Sequence, residues 1–388
     1  AKAVWTITGN GIAEGIFKMC LGNHIGFKFT KQLSDAELFN SCYGAFLVEL
    51  NDKAKDDEQV IGVTTQDYTI NCGDFLMSLV DLQQSWESKL EPVFPCRIKT
   101  STDKVEAFSY NAENRVTSSI HIAKPRVIIP VFPGTNCEYD SAKAVERAGA
   151  EAEIFVINNL TPQGVTESVK KFADKVKQSQ IIFIPGGFSG GDEPDGSGKF
   201  ITAFFRNGAV KEEVTKLLEE RDGLMCGICN GFQALIKLGL VPYGRIIDTD
   251  ENCPTLTYNT IARHQSKIVR TRIASNKSPW LADTEVGDIY SVPISHGEGR
   301  FIASDELILR LAENGQIATQ YVDEKGEAAS DIHFNPNGSY YAIEGITSPD
   351  GRVFGKMGHS ERYAADLYKN VPGNYDIKMF RSAVKYFK

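Results

Sequence analysis

The sequence predicts an α/β protein in which a doubly wound, mostly parallel sheet follows a smaller α+β domain. From Arg126 onward, short apolar runs rich in β-branched residues alternate with amphipathic stretches, as is typical of βα units. Right-handed crossovers between such units produce a doubly wound sheet. Before Pro125 this alternation is missing. We therefore expect an α+β domain at 1–105, a linker at 106–124 and the α/β domain at 125–388.

The predicted elements follow from local patterns. The first region has two helical patterns and two strand patterns, at 12–21, 73–90, 45–50 and 59–65. Residues 92–124 combine prolines with many polar residues, which favours a connector with little structure of its own. In the second region, strands are predicted at 126–132, 151–157, 180–185 and 224–229. Helices are predicted there at 139–148, 165–176, 199–218 and 231–238.

Composition excludes several classes of function. The chain has 388 residues, 42% of them apolar, and a net charge of −8, which argues against broad electrostatic binding to nucleic acid or to an anionic membrane. Local basic patches for phosphorylated substrates stay open. No run approaches the roughly 20 apolar residues of a membrane span. Eight irregularly spaced cysteines and a first segment unlike a secretion signal favour a reducing cytoplasm.

Cys229 is the first candidate for chemistry. It lies in GICNGFQ (227–233), where an apolar strand turns into a helical pattern and Gly227 and Gly231 allow a tight turn. The following helix N-terminus is expected to favour a thiolate, and the backbone amide of Asn230 to face a developing oxyanion. This pattern indicates a nucleophile for acyl transfer. Two alternatives are a buried structural thiol and a redox pair with Cys226, although Cys226 would lie inside the strand.

A glycine-rich loop, PGGFSGGD (185–192), follows the strand predicted at 180–185. It is not a phosphate-binding loop, because Glu193 stands where glycine is required and Phe200 where Ser or Thr is required. Glycines let the main chain come close to a tetrahedral intermediate, so Gly186 and Gly187 are candidates for an oxyanion or substrate-binding loop.

The base for Cys229 is expected to be a histidine oriented by a carboxylate. Of six histidines, His296 and His359 each end a predicted strand and have a glutamate two residues later, Glu298 and Glu361. The spacing alone does not choose between them. The remaining four histidines are assigned to surfaces or to satisfied hydrogen bonds.

Six ordered motifs resemble the glutaminase domain of phosphoribosylformylglycinamidine synthase, a class I glutamine amidotransferase with a flavodoxin-like sheet. They are FPGTNCEYD (132–140), PGGFSGGDEPDGSGKF (185–200), GICNGFQ (227–233), SHGEGRF (295–301), NPNGS (335–339) and GHSERY (358–363). The first 100 residues are more loosely similar to the end of the α+β synthetase part, which is related to aminoimidazole ribonucleotide synthetase. The resemblance implies that the chain is the C-terminal part of a longer enzyme.

The resemblance also implies roles for individual residues. Cys229 is expected as nucleophile, His359 as base and Glu361 as its orienting carboxylate, in a motif that reads Pro-His-Pro-Glu-Arg in the family. Here Gly358 and Ser360 replace the two prolines, which removes the rigidity they would supply.

Further implied roles concern the substrate and the interface. The amides of Gly187 and Asn230 are expected as oxyanion donors, and Gln233 is expected to shape the glutamine pocket. His296 and Glu298 are placed near the synthetase interface or the substrate entrance.

The implied reaction is attack of the thiolate on glutamine, release of ammonia, and hydrolysis of a glutamyl thioester. The ammonia would pass to the remaining synthetase, which uses ATP and Mg²⁺ to convert formylglycinamide ribonucleotide to the amidine in purine biosynthesis. No cofactor or metal is expected in this chain itself. One rival hypothesis is a catalytically silent interaction module. Another is a cysteine peptidase or chaperone with a related sheet, in which the histidine follows soon after the nucleophile; the nearest here is His264.

Overall fold

The structure of this chain, a computed structural model, describes residues 1–51, 54–55, 59–93, 100–101, 103–188 and 198–388. The chain divides into two compact units, Ala1–Lys99 and Thr100–Lys388. Within the described part, every helix is too short or too polar to span a bilayer.

The described residues of the first unit form two small sheets and three helices. Its elements are β1 (Ala3–Thr6), α1 (Gly11–Leu21), β2 (Gly26–Phe29), α2 (Asp35–Phe39), β3 (Phe46–Glu49), β4 (Gly62–Thr65), β5 (Thr69–Cys72), β6 (Phe75–Ser78) and α3 (Leu79–Ser88). Strands β1 and β3 form an antiparallel pair, and the second sheet has the order β4-β2-β5-β6. The small core consists of Ile16, Cys20, Ile70 and Leu79.

The helix predicted at 73–90 is wrong in its first part. Gly73 has a φ of 61°, and with Asp74 it closes a hairpin in which Phe75 pairs with Cys72. The chain therefore continues as β6, and α3 begins only at Leu79. Ser78 is the N-cap of α3, because its hydroxyl accepts a hydrogen bond from the Asp81 amide. The strands β1, β2 and β5 were also not predicted.

The second unit is built around a large mixed sheet. Its strands are β7 (Arg126–Val131), β8 (Glu151–Val156), β9 (Ile181–Ile184), β10 (Leu224–Ile228), β11 (Thr255–Tyr258), β12 (Gln265–Ile273), β13 (Ile289–His296), β14 (Glu298–Ile302), β15 (Ile317–Val322), β16 (Ile343–Thr347) and β17 (Val353–Lys356). Its helices are α4 (Glu138–Arg147), α5 (Pro162–Lys177), α6 (Lys199–Phe205), α7 (Gly208–Glu219), α8 (Asn230–Leu238), α9 (Leu240–Tyr243), α10 (Asp305–Glu313) and α11 (Met379–Lys385).

The nine strands of the large sheet follow the order β13-β12-β15-β16-β17-β10-β9-β7-β8. The part from β17 to β8 is parallel and matches the flavodoxin-like strand order. Every residue of β9 and β10 is buried, as expected when both faces of a parallel sheet are covered. The predicted doubly wound α/β fold is confirmed. The antiparallel extension from β16 to β13 was not predicted as a whole, although strands ending at His296 and before His359 were.

The helix predicted at 199–218 is two helices. Asn207 leaves helical geometry, with φ −58° and ψ 133°, and its side chain caps α7 by accepting a 3.1 Å hydrogen bond from the Ala209 amide. An Asn followed by Gly208 favours this cap over a continuous helix. The other helices predicted in this unit are confirmed to within a few residues.

The segment predicted as a linker contacts the second unit along its length. Phe108 is buried, the Tyr110 amide donates to the Ala274 carbonyl at 2.8 Å, and the Ile122 amide donates to the Phe387 carbonyl at 2.7 Å. These contacts show the segment packed as part of the second compact unit, which begins at Thr100.

Candidate active site

The loops that follow four parallel strands bring the candidate residues together. Cys137, Gly186, Cys229 and His359 follow β7, β9, β10 and β17 respectively, and the carboxyl ends of parallel strands share one edge of the sheet. The sheet reverses its strand order between β7 and β9, which is where ligands bind in such folds.

Gly186 shows how close these groups are. A Cβ atom on this glycine would lie 2.7 Å from His359 Cε1, 3.3 Å from Cys229 Cβ and 3.4 Å from Cys137 Sγ. The three side chains therefore surround one point, and only glycine leaves that point open.

Cys229 has a strained backbone. Its φ of 54° and ψ of −108° lie outside the regions that non-glycine residues populate, and such strain is concentrated at functional sites. The Cys229 amide donates to the Lys356 carbonyl at 2.9 Å, and its carbonyl accepts from the Gln233 amide at 3.0 Å. These bonds hold the turn between β10 and α8, the position expected of a nucleophile elbow.

The two glycines beside Cys229 are needed for packing. A Cβ on Gly227 would lie 2.5 Å from the Gly231 carbonyl carbon, and one on Gly231 would lie 2.1 Å from the Ile184 carbonyl oxygen. The first contact allows α8 to start directly above β10, and the second brings it against β9. The glycines thus serve close packing, whereas the positive φ falls on Cys229 itself.

The buried environment of Cys229 favours the neutral form of its thiol. Burial raises the pKa of Cys229 to about 12, and Cys137 and Glu361 act in the same direction. The hydrogen bond from the Asn230 backbone, at the start of α8, opposes them and favours the thiolate. In the free chain the effect of burial is the larger one.

His359 and Glu361 form a buried pair. His359 Nδ1 lies 2.6 Å from Glu361 Oε1, and both side chains are about 1% exposed. Burial alone would raise the pKa of Glu361, but the neighbouring His359 and Arg362 hold it below its ordinary value. A carboxylate that accepts the Nδ1 proton leaves Nε2 available as a base, and Nε2 has no hydrogen-bond partner among the described residues.

His296 has a different environment. Its Nε2 lies 2.6 Å from the side-chain oxygen of Asn337, whose amide group donates to the Gly299 carbonyl and the Tyr321 hydroxyl. Burial lowers the pKa of His296 to about 4. Burial thus favours the neutral ring although the Asn337 hydrogen bond acts in the opposite direction, and the partner of His296 is an amide whereas that of His359 is a carboxylate. His296 and Glu298 are both buried, at 2% and 4% exposure, rather than on an exposed surface of the chain.

The loop after β9 is tied to the loop after β7. The Asn136 amide donates to the Gly186 carbonyl, and the Phe188 amide donates to the Gly134 carbonyl. This bridge does not use the amide of Gly187, whose φ is 143°. Among the described residues no acceptor is found for that amide, and its oxyanion role stays a prediction. The rest of the glycine-rich motif, at 189–197, lies outside the described residues.

Gln233 joins the helix of the elbow to the antiparallel part of the unit. Its side-chain amide donates to the Glu298 carbonyl at 2.7 Å, and the side chain is 3% exposed. This bond ties α8 to β14. Separately, Sγ of Cys229 lies 3.9 Å from the carbonyl oxygen of Ser295 in β13.

Sequence reasoning assigned no site role to Cys137 or Arg362. Cys137 Sγ lies 3.9 Å from His359 Nδ1, and Arg362 Nη2 donates to the same sulfur at 3.0 Å. Burial raises the pKa of Cys137 to about 11. The signal that could have found Cys137 is its place just after the first parallel strand, at the switch in strand order.

One group of side chains has the donor types of a metal site. Ligand atoms of Cys137, His359 and Glu361 lie within 4.8 Å of one another. Ligands about 2.0 Å from a tetrahedral zinc ion are about 3.3 Å apart. The 2.6 Å between His359 Nδ1 and Glu361 Oε1 is a hydrogen bond and is too short for an ion to bridge at that spacing.

The other cysteine and histidine candidates have contacts that are typical of structural residues. Cys226 lies inside β10 with no exposure, and both Cys226 and Cys229 are free thiols. His264 Nε2 lies 3.1 Å from the Ser295 hydroxyl, and His333 pairs with Asp331. His24 stacks on Tyr68.

Comparisons with known proteins agree with this geometry. Residues 124–387 match the family described as the CobB/CobQ-like glutamine amidotransferase domain. The phosphoribosylformylglycinamidine synthase subunit PurQ of Methanococcus maripaludis (strain C7) is 37% identical over 255 residues, covering 66% of this chain and 87% of the relative. The PurQ subunit of Aquifex aeolicus is 32% identical over 249 residues, covering 63% and 93%. A chain of PurLQS from Thermotoga maritima is 28% identical with a TM-score of 0.50, covering 68% of this chain and all of that chain.

Proposed function

Because the chain belongs to the CobB/CobQ-like glutamine amidotransferase family, we propose that its second unit is the glutaminase part of a phosphoribosylformylglycinamidine synthase. It hydrolyses glutamine through a thioester on Cys229 and supplies ammonia for purine biosynthesis. The observation that carries the proposal is the meeting of a strained elbow cysteine with the buried His359–Glu361 pair around Gly186.

The first half of the reaction begins when glutamine binds. The Cys229 proton moves to His359 Nε2 as the sulfur attacks the side-chain carbonyl carbon of glutamine. Because burial raises the pKa of the resting thiol to about 12, the sulfur needs a base to take its proton in order to attack near neutral pH. The backbone amides of Gly187 and Asn230 stabilise the oxyanion. The carbon–nitrogen bond then breaks, His359 gives its proton to the leaving nitrogen, and ammonia departs.

The second half hydrolyses the thioester. A water molecule gives a proton to His359 Nε2 and attacks the thioester carbon. The carbon–sulfur bond breaks, His359 returns the proton to the sulfur of Cys229, and glutamate leaves. Throughout, Glu361 keeps His359 in the required tautomer and stabilises the imidazolium.

The partner of this unit is the remaining synthetase. It receives the ammonia and, with ATP and Mg²⁺, converts formylglycinamide ribonucleotide to the amidine in the cytoplasm. Two observations support a partner. The chain resembles PurQ subunits and a chain from a structure of PurLQS, and the first unit exposes large apolar side chains. They include Phe39, Tyr43, Phe46, Phe75 and Leu76.

The test is covalent labelling with a glutamine-analogue diazoketone, followed by mass spectrometry. We expect the label on Cys229, and we expect His359→Ala to lose both labelling and glutaminase activity while His296→Ala keeps thioester formation. Labelling of Cys226, or the reverse order of the two histidine variants, would contradict the assignment. No labelling in the presence of the partner synthetase would favour the silent interaction module.

A further inference from the structure

Two fully buried charges lie beneath the loop that carries His359. Lys356, the last residue of β17, and Glu344, near the start of β16, are both 0% exposed, and Lys356 Nζ lies 3.2 Å from Glu344 Oε1. Buried charges are costly unless every donor and acceptor has a partner. Such a pair therefore needs an explanation beyond the stability of the sheet.

Every donor of Lys356 is used, and two of them bond the His359 loop. Besides its ion pair, Nζ donates to the Gly358 carbonyl at 2.9 Å and to the Ser360 hydroxyl at 3.0 Å. An ammonium group has three hydrogens, so this arrangement satisfies the lysine completely. The residues immediately before and after His359 thus bond the same cation.

Glu344 holds the loop from the other side. Its Oε1 accepts a 2.6 Å hydrogen bond from the Gly358 amide, and its second oxygen accepts one from the Thr319 hydroxyl. The His359 amide itself donates to the Pro293 carbonyl at 2.8 Å. The loop is fixed before and after the imidazole by charge-assisted hydrogen bonds, which are stronger than neutral ones.

This arrangement depends on the residue types at 358 and 360. A Cβ at Gly358 would lie 2.7 Å from Val292 Cγ2 and 3.0 Å from Glu344 Oε1, and the Gly358 amide is the donor to Glu344. The Ser360 hydroxyl is the acceptor for Lys356. The charged pair therefore acts together with Gly358 and Ser360.

We propose that Glu344 and Lys356, acting through Gly358 and Ser360, are positioning residues that hold His359 against Glu361. The inference rests on the proposed glutaminase function, since it assigns these residues to the placement of its base. A misplacement of about 1 Å in such a group costs about 10²-fold in rate.

Two variants test the proposal. Ser360→Ala removes one hydrogen bond and is expected to lower kcat for glutamine hydrolysis about tenfold with little change in KM, because binding is not altered. The double variant Lys356→Met with Glu344→Gln removes both charges without leaving one unpaired, and is expected to lower kcat about 10²-fold. Ser119→Ala is the matched control, since it also removes a serine hydroxyl bonded to a charged group, Asp222, away from the site.

A second measurement does not depend on activity. The short bond between His359 and Glu361 should give a slowly exchanging, downfield Nδ1 proton in NMR spectra of the full chain, absent in His359→Gln. We expect Ser360→Ala and the double variant to broaden or lose this resonance and Ser119→Ala to keep it. If both variants keep the resonance and the wild-type kcat, or if the wild-type protein lacks it, the positioning role is wrong. If the wild-type chain shows the resonance and the variants lose it, but the wild-type chain has no glutaminase activity, the result would instead count against the proposed function.

Discussion

At the scale of single residues, the site combines backbone strain with tight packing. Cys229 has a positive φ that a glycine would adopt more easily. This conformation costs free energy, and it occurs at a position where the site needs a side chain. Gly186 does the opposite: it gives up a side chain so that Cys229 and His359 can approach. Both features lie in loops whose conformation is set by neighbouring strands.

The alkylation of Cys229 should show the effect of burial on its thiol. Because the pKa is raised to about 12, the thiolate fraction should still rise about tenfold per pH unit between pH 8 and 10. The measurement is the rate of iodoacetamide labelling by mass spectrometry, with the exposed Cys42 as a reference in the same chain. A Cys229 labelling rate that levels off near pH 8 would contradict the prediction.

Substitution of Gly186 should separate catalysis from stability. In Gly186→Ala the new methyl group would meet His359 Cε1 at 2.7 Å and push the imidazole aside, so glutaminase kcat should fall about 10²-fold. Gly208→Ala is the matched control, because nothing lies within 4 Å of its Cβ position. Steady-state kinetics and urea unfolding check both variants; equal activity in the two would show that the ring has room to move.

At the scale of elements, the parallel strands and their following loops do most of the positioning. One loop follows each of the parallel strands β7, β9, β10 and β17 at the same edge of the sheet. Helix α8 begins directly after the Cys229 turn, because Gly227 and Gly231 have no Cβ that would clash with the neighbouring backbone. The turn between α6 and α7 shows the same dependence on local residues, since Asn207 ends one helix and caps the next.

The cap at Asn207 gives an element-scale prediction. Asn207→Ala leaves the Ala209 amide without its side-chain acceptor and should lower the free energy of unfolding by about 1 kcal/mol. Urea denaturation measures the change, and the exposed Asn370→Ala serves as control with an expected change within about 0.5 kcal/mol. A fully stable Asn207→Ala protein would mean that α6 and α7 can join into the single helix predicted from sequence.

At the scale of the whole molecule, the two units differ in how well they bury apolar surface. The second unit has a large continuous core, whereas the core of the first has four buried residues. In the first unit Phe75 is 74% exposed and Leu76 is 67% exposed, beside each other on β6. A soluble chain rarely leaves such neighbours uncovered without a partner.

The isolated chain is therefore expected to self-associate. Static light scattering should give a mass that rises with protein concentration, and Phe75→Ser with Leu76→Ser should reduce this rise. Leu160→Ser, which removes an isolated apolar side chain that is 96% exposed in the second unit, should leave the association unchanged. A constant monomer mass for the unmodified chain would contradict the prediction.

The sequence by itself determined the α/β fold of the second region, the elbow at Cys229 and the two histidine candidates. These depend on short-range patterns: alternating apolar runs, glycines beside one cysteine, and glutamates two residues from histidines. Such signals act within a few residues, so they can be recognised without knowing how the chain packs. The hairpin at Gly73 and the helix break at Asn207 could also have been predicted from the sequence, because both depend on local turn residues.

Only the tertiary structure decided which groups meet. That Cys137 approaches His359 across more than 200 residues depends on the strand order, and no local pattern contains it. Burial cannot be known before packing, and burial is what raises the pKa of Cys229 and keeps His296 neutral. Lys356 and Glu344 look like ordinary strand charges in the sequence; their partnership beneath His359 arises because β16 and β17 pair and bury both.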